Sequence, residues 1–290
     1  MISFRYHLVS VAAILIALAA GIVLGSGPLD EAGDSIRGDA AATADPALGS
    51  FEDGFAARTA GGLLKDKLNG QSVVIVTVPG ASAGEVKAIT SDLQQAGAEV
   101  SGEIELTSKL LDSAGRQFAE GVAQQSASDV AGVTGATDSY GRIGAAIARA
   151  YLADETAAAD QTAGTIRAAF VEGDLVAQTT APANVSTLAV LVTGPERAGT
   201  ADQSTVIAAL AGAMNDSGKG VVVAGPSSSS TDGGAVKAVR DGAFATSVST
   251  VDVTDTAAGR IVTVLAAAAQ VDGQPGAWGT SRSAGGALPQ

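Results

Sequence analysis

The feature that most constrains this chain is an uncharged, apolar segment near its amino terminus. The 18 residues 8–25, which begin with Leu8 and end with Gly25, carry no charge and only one hydroxyl, that of Ser10. A helix rises ~1.5 Å per residue, so this segment covers about 27 Å, close to the ~30 Å hydrocarbon thickness of a bilayer. It predicts one membrane-spanning helix. The alternative is a cleaved signal peptide, whose apolar stretch is usually shorter.

The charges on either side of this segment predict its orientation. Arg5 precedes it, whereas Asp30, Glu31 and Asp34 follow it before the next basic residue, Arg37. Because basic flanks stay on the cytoplasmic side of a membrane, we expect a cytoplasmic amino terminus and an exported remainder. The predicted location is the cell envelope, with the anchor in the cytoplasmic membrane.

The rest of the chain changes composition in steps that predict its organisation. Residues 1–27 form the anchor, 28–70 a stalk, 71–272 an exported α/β domain and 273–290 a disordered tail rich in Gly, Ser and Pro. Pro46 and several glycines interrupt the stalk, so we expect a short, broken helix there. A flexible tether is the alternative.

Alternation of strand and helix patterns predicts the fold class of the exported domain. Continuous β-branched runs such as 72–78 suit strands that are buried on both faces. Strands alternating with helices imply a mostly parallel, Rossmann-like α/β sheet covered on both sides, with a helical insertion at about 108–170. The predicted strands are 72–78, 98–106, 186–192, 220–224 and 247–253, and the predicted helices are 82–96, 201–216, 232–241 and 255–270.

Composition excludes several chemistries. The chain has no Cys and one His, His7, and Met214 is its only Met beyond Met1, so it offers few soft or imidazole ligands for copper or zinc. A serine nucleophile would have no exported imidazole as its base. We therefore predict no catalytic, cofactor-binding or metal-binding residues and no enzymatic activity. Loose binding of a hard cation is conceivable only at carboxylate pairs, which are Asp252 with Asp255 and Glu103 with Glu105.

Three strands end in similar turns, and these mark where a ligand site would lie. The turns are 78–80, 193–195 and 224–226, at the carboxyl ends of predicted parallel strands. None has the glycine spacing of a nucleotide-binding loop, so termination of the strands is the favoured interpretation. With 17 basic against 30 acidic residues, the chain is also expected to repel nucleic acids.

Several segments resemble one protein family. The chain begins MISFRYH at residues 1–7 and continues with SVAA at 10–13 and GIVLGSG at 21–27, and later matching stretches are 72–80, 97–100 and 251–261. Together these segments resemble the actinobacterial MctB family of copper transport outer-membrane proteins. The resemblance covers most of residues 1–270.

This resemblance implies a role in copper efflux or homeostasis in the actinobacterial envelope, and the family name implies an outer-membrane location. A related SteB-like branch is associated with a membrane partner, SteA, in daughter-cell separation, through a coiled coil after the membrane helix. Because copper ligands are scarce here, our hypothesis is action through an envelope protein partner or a homo-oligomer. The alternatives are a structural protein of cell-wall remodelling and an exported enzyme with a carboxylate site.

Overall fold

The buried β-branched runs become the centre of one sheet in the computed structural model, which describes residues 46–197 and 201–289. Strand β1, Ser72–Thr77, is buried along its whole length, as its sequence predicts. The apolar segment 8–25 lies outside the described residues. Among the helices that the structure does describe, none combines the length and the apolar character needed to cross a bilayer.

The order of elements confirms the predicted alternation. The strands are β1, then β2 (Glu99–Leu106), β3 (Ala157–Ala158), β4 (Val176–Thr180), β5 (Asn184–Val185), β6 (Leu188–Val192), β7 (Val221–Ala224), β8 (Ser249–Val251) and β9 (Ala277–Trp278). The helices are α1 (Pro46–Leu64), α2 (Ala83–Gln95), α3 (Ser108–Leu111), α4 (Arg116–Ser126), α5 (Ala131–Gly135), α6 (Ser139–Tyr151), α7 (Gln161–Glu172), α8 (Ala201–Asn215), α9 (Ala235–Asp241) and α10 (Ala257–Val271).

Seven of the strands form one sheet in the order β4-β2-β1-β6-β7-β8-β9. All neighbours are parallel except β2 and β4, which are antiparallel. From β1 the chain moves outward to β2, and from β6 it moves in the opposite direction through β7 and β8. The order of winding therefore reverses between β1 and β6, which is the topological switch point of a doubly wound sheet.

Alternate residues of the central strands pack on opposite faces, because successive side chains of a strand point to opposite sides. Val73 and Ile75 belong to a core with Val86, Ile89 and Leu93 of α2, as their helical spacing predicts. Val74 and Val76 belong to the other core, with the helices of the insertion and with α8. The four apolar residues predicted for α8 are all buried there, namely Val206, Ile207, Leu210 and Met214.

The helical insertion is present, but its surroundings include strands that the sequence did not predict. Strand β3 lies within 108–170, and β4 and β5 follow the insertion. Strand β4 reads VAQTT and buries only Val176, because it lies at a sheet edge and exposes its polar side chains. Hydrophobic periodicity carries little signal in such a strand.

The tail differs from the predicted disorder. Ala277 and Trp278 form β9, which pairs in parallel with β8, and Thr250 donates a backbone hydrogen bond of 2.8 Å to Gly276. Glycine and serine content predicted a solvated chain. Here the serines and backbone amides of the tail bind a buried carboxylate, that of Asp252.

The stalk prediction is described only from residue 46 onward, and there the helix is not broken. Helix α1 begins at Pro46, a residue whose fixed φ suits the first turn of a helix, and it continues past Gly54. Ala56, Ala60 and Leu64 are buried against the sheet. Their burial accounts for the continuity of the helix, since tertiary packing overrides the low helix propensity of glycine.

The serine-rich segment also differs from its prediction. Residues Ser227–Ser230 form a 3₁₀ turn, and α9 starts at Ala235 rather than at 232. Gly234 precedes the helix without a side-chain cap. The Thr231 hydroxyl instead donates to the carbonyl of Ser228, at 2.6 Å, so it closes the 3₁₀ turn.

Candidate functional site

The first candidate site is the crevice at the switch point. It has a volume of about 200 Å³ and lies where β1 and β6 end. Ligands of open α/β sheets bind at this position, outside the carboxyl ends of the strands on either side of the reversal. Two of the three predicted turns contribute to it, and its lining consists of Val78, Pro79, Ser108, Thr193, Gly194, Pro195, Glu196, Arg197, Gln203, Ser204, Ile207 and Ala235.

The glycines of these two turns serve the packing of one turn on the other. Gly80 has a φ of +93°, a conformation that favours glycine, and a Cβ there would lie 2.8 Å from Cζ of Arg197. A Cβ on Gly194 would overlap the backbone of Gly80. The glycines thus permit close approach of protein to protein, and their amides are not arranged as a phosphate-binding loop.

The third turn lies beside the crevice. The Gly225 amide donates to the Val251 carbonyl at 2.9 Å, which joins the ends of β7 and β8. Nearby, Thr193 is 1% exposed and its hydroxyl has no hydrogen-bond partner among the described residues. A Cβ on Gly225 would collide with that hydroxyl and lie 2.6 Å from Oγ of Ser229. The turn is therefore tightly packed around two hydroxyl groups.

Chemically, this end of the sheet offers hydroxyls and carboxylates. The Ser227 hydroxyl donates to Oδ2 of Asp255 at 2.8 Å, at an exposed position. A serine paired with a carboxylate alone lacks the imidazole that normally accepts its proton. Pro195 and Pro226 also remove two backbone amides from the strand ends. The geometry thus supplies no group that activates the serine.

The structure separates the carboxylates that were the candidates for a hard cation. Asp252 is fully buried and forms an ion pair with Arg240, at 2.5 Å between Oδ2 and Nη1. It also accepts hydrogen bonds from the Thr280 amide and the Ser281 hydroxyl. Asp255, by contrast, binds Ser227. Asp252 therefore holds the tail in place, which leaves it unsuited to an exchangeable cation.

The environment of Asp252 also sets its protonation. Burial acts to raise the pKa of this carboxyl, but hydrogen bonds from Ser281, Thr280 and Arg240 outweigh burial and hold the pKa below its ordinary value. The group is thus an anion at neutral pH inside the fold. Sequence reasoning missed this ion pair because Arg240 lies on α9 and Asp252 follows β8, and only the fold brings them together.

The described residues hold no group of three or more His, Cys, Asp and Glu side chains that could bind a metal ion. Glu103 and Glu105 are half-buried neighbours along β2. Met214 is fully buried in the core, where a thioether packs as an apolar group. His7 lies outside the described residues. The predicted absence of metal, cofactor and catalytic residues stays a prediction.

The chain is similar to a family of copper proteins along almost its whole length. The family described as "Copper transport outer membrane protein, MctB" matches residues 1–289. Proteins named "Copper transporter MctB" from Mycobacterium bovis and Mycobacterium tuberculosis are 30% identical over 307 residues, which covers 98% of this chain and 98% of each relative. The protein of the same name from Mycobacterium leprae is 28% identical over 292 residues, covering 91% of this chain and 92% of that protein.

Proposed function

Because the chain belongs to the MctB family of copper transport outer membrane proteins, we propose that it acts in copper efflux or homeostasis in the cell envelope. Copper is the cargo in this proposal. The family description names transport and no catalysed reaction, which supports a role other than that of an enzyme.

We further propose that the chain works through an envelope protein partner or a homo-oligomer. The observation that carries this proposal is the poverty of copper ligands in the chain. Cu(I) prefers sulfur and Cu(II) prefers imidazole. Beyond Met1, His7 and Met214 are the only residues of these kinds, and the Met214 side chain is buried in the core. A route for copper would therefore need ligands from another chain.

The proposed topology follows from the charges around residues 8–25. Under it, the α/β domain lies outside the cytoplasmic membrane and the amino terminus lies inside. Protease added to spheroplasts should then degrade the domain while a cytoplasmic control protein survives. Protection of the domain in intact spheroplasts, with degradation after lysis, would contradict this topology.

The copper proposal is tested in cells that lack this chain. We expect the deletion to lower the copper concentration that inhibits growth, and the full-length chain to restore tolerance. The informative variant is His7→Gln with Met214→Leu, which removes every imidazole and every thioether after Met1. Since partners supply the ligands in this account, the variant should restore tolerance as well as the original chain does at equal protein level.

Two results would overturn the proposal. If the double variant fails to restore tolerance at equal protein level, the chain itself contributes ligands. If the deletion leaves copper tolerance unchanged but produces chains of unseparated cells, the role lies in daughter-cell separation instead.

A further inference from the structure

A second cavity lies at the opposite edge of the sheet from the switch-point crevice. It is an open groove of about 940 Å³ between the helical insertion and the turn after α8. Its position at the amino-terminal edge is marked by Gly218, where a Cβ would lie 2.5 Å from the Thr187 carbonyl, just before β6 begins. The groove is large enough for several residues of a polypeptide.

One wall of the groove is the unpaired edge of a strand. Strand β3 pairs with β5 alone, in a two-stranded antiparallel sheet. Ala157 and Ala158 are exposed and line the groove. A strand with one free edge presents backbone amides and carbonyls that an extended peptide can pair with, and proteins use this arrangement to bind peptides by strand addition.

The groove also permits a backbone to approach closely. Much of its lining is glycine and alanine from α5, α6 and the end of α8, including Gly132, Gly135 and Ala213. Small side chains leave the space next to β3 open. Phe244 contributes an aromatic side chain to the same groove.

The charge of the groove selects the chemistry of its occupant. Four aspartates line it, against one arginine, Arg149, and that arginine is paired with Asp160. Asp138 caps α6 through the Gly141 amide. The side chains of Asp154 and Asp216 are exposed and make no hydrogen bond or ion pair with other described residues. The groove is therefore anionic and favours a cationic segment.

This charge argues against occupants supplied by the chain itself. The segment 26–45, which follows the apolar stretch, contains five acidic residues and one Arg, so the groove repels it. A second copy of the chain carries the same net charge of −13 and meets the same repulsion. We infer that the groove beside β3 binds an extended, Lys- or Arg-containing segment of a different protein by strand addition. This inference rests on the proposed action through partners and specifies the chemistry of one partner.

The inference is tested with the purified full-length chain in detergent and a fluorescent ten-residue peptide of alternating Lys and Val as the probe. Anisotropy should report saturable binding that weakens as salt is raised, because exposed charges are screened. The same peptide with every central amide N-methylated keeps its charge and loses its donors. We expect its affinity to fall by at least about tenfold, since strand addition depends on backbone hydrogen bonds.

The matched variants separate the groove from the general acidity of the chain. Asp154→Asn with Asp216→Asn should weaken binding by about tenfold, the combined effect of two exposed charge pairs. Glu172→Gln with Asp272→Asn removes the same charge at exposed positions outside the groove and should change binding less than about twofold. All three proteins should have the same melting temperature.

Equal binding by the two variants, or undiminished binding of the N-methylated peptide, would overturn the inference. So would a homodimer that dissociates when Asp154 and Asp216 are replaced, since the groove would then hold a second copy. Peptide binding and copper tolerance are separate measurements. Loss of the peptide result therefore leaves the copper proposal in place, and loss of the copper result leaves the groove in place.

Discussion

Both edges of the seven-stranded sheet are fastened by one arginine, but the two arginines bind different kinds of acceptor. At the β4 edge, Arg167 donates to the carbonyls of Ala150, Pro182 and Asn184 at 2.8 to 3.0 Å. At the β9 edge, Arg240 binds the carboxylate of Asp252. The first arrangement uses neutral acceptors and the second a buried ion pair.

The difference teaches how each edge should respond to perturbation. Neutral carbonyls that lose Arg167 lose hydrogen bonds, whereas Asp252 without Arg240 becomes a buried, uncompensated charge. Only the second arrangement contains a group that titrates in acid. The tail should therefore be the more sensitive attachment, both to substitution and to low pH.

Arg240→Met should have the largest effect. It leaves the Asp252 charge buried without its partner, and we expect a loss of about 3–5 kcal/mol in the free energy of unfolding. Urea denaturation of the full-length chain in detergent measures it. The matched double variant Arg240→Met with Asp252→Leu removes both charges and should recover part of the loss. A double variant less stable than the single one would show that the buried charge is not the cause.

Arg167→Met should have an intermediate effect. The methionine keeps part of the packing against Tyr151, whose ring lies 4.8 Å from the guanidinium carbon. It loses the hydrogen bonds to the three carbonyls, so we expect a loss of about 1.5–3 kcal/mol in the same denaturation experiment. A loss as large as that of Arg240→Met would break the distinction between the two edges.

Acid should weaken the tail attachment in a graded way. The folded-state pKa of Asp252 is lowered, so its contribution to stability is complete above the ordinary carboxyl pKa of about 3.9 and is lost as the pH falls through the folded value. The stability difference between the original chain and Asp252→Asn should shrink as the pH falls below about 4. Hydrogen exchange at residues 277–281 should accelerate over the same interval. A difference that is constant with pH would contradict the assignment.

The smallest effect is expected on the Arg167 side. Gly164 lies within α7, and a Cβ there would meet no atom within 4 Å. Gly164→Ala should therefore stabilise the chain by about 0.5–1 kcal/mol, through helix propensity and a less flexible unfolded state. Thermal unfolding measures it. Gly132→Ala is the contrasting variant, because its Cβ would lie 3.2 Å from Cβ of Ala145, and it should not stabilise.

The same contrast explains what the sequence could predict. Strands such as β1 and β6 are continuous apolar runs that are buried on both faces, so their sequence alone identifies them. Strands β4 and β9 are edge strands of mixed polarity that depend on Arg167 and Arg240, which lie on other elements. Periodicity carries no information about such long-range polar contacts. For the same reason the turns after β1 and β6 could be placed from sequence, whereas the groove beside β3 could not.

The most direct test of the central claim is the copper affinity of the purified full-length chain. The claim is that this chain takes part in copper transport without supplying the copper site. Titration with Cu(I) against a chromogenic chelator, and with Cu(II) against a competing amino acid, measures that affinity. We predict that both competitors keep the metal. Stoichiometric capture of copper from either competitor by the chain alone would contradict the claim.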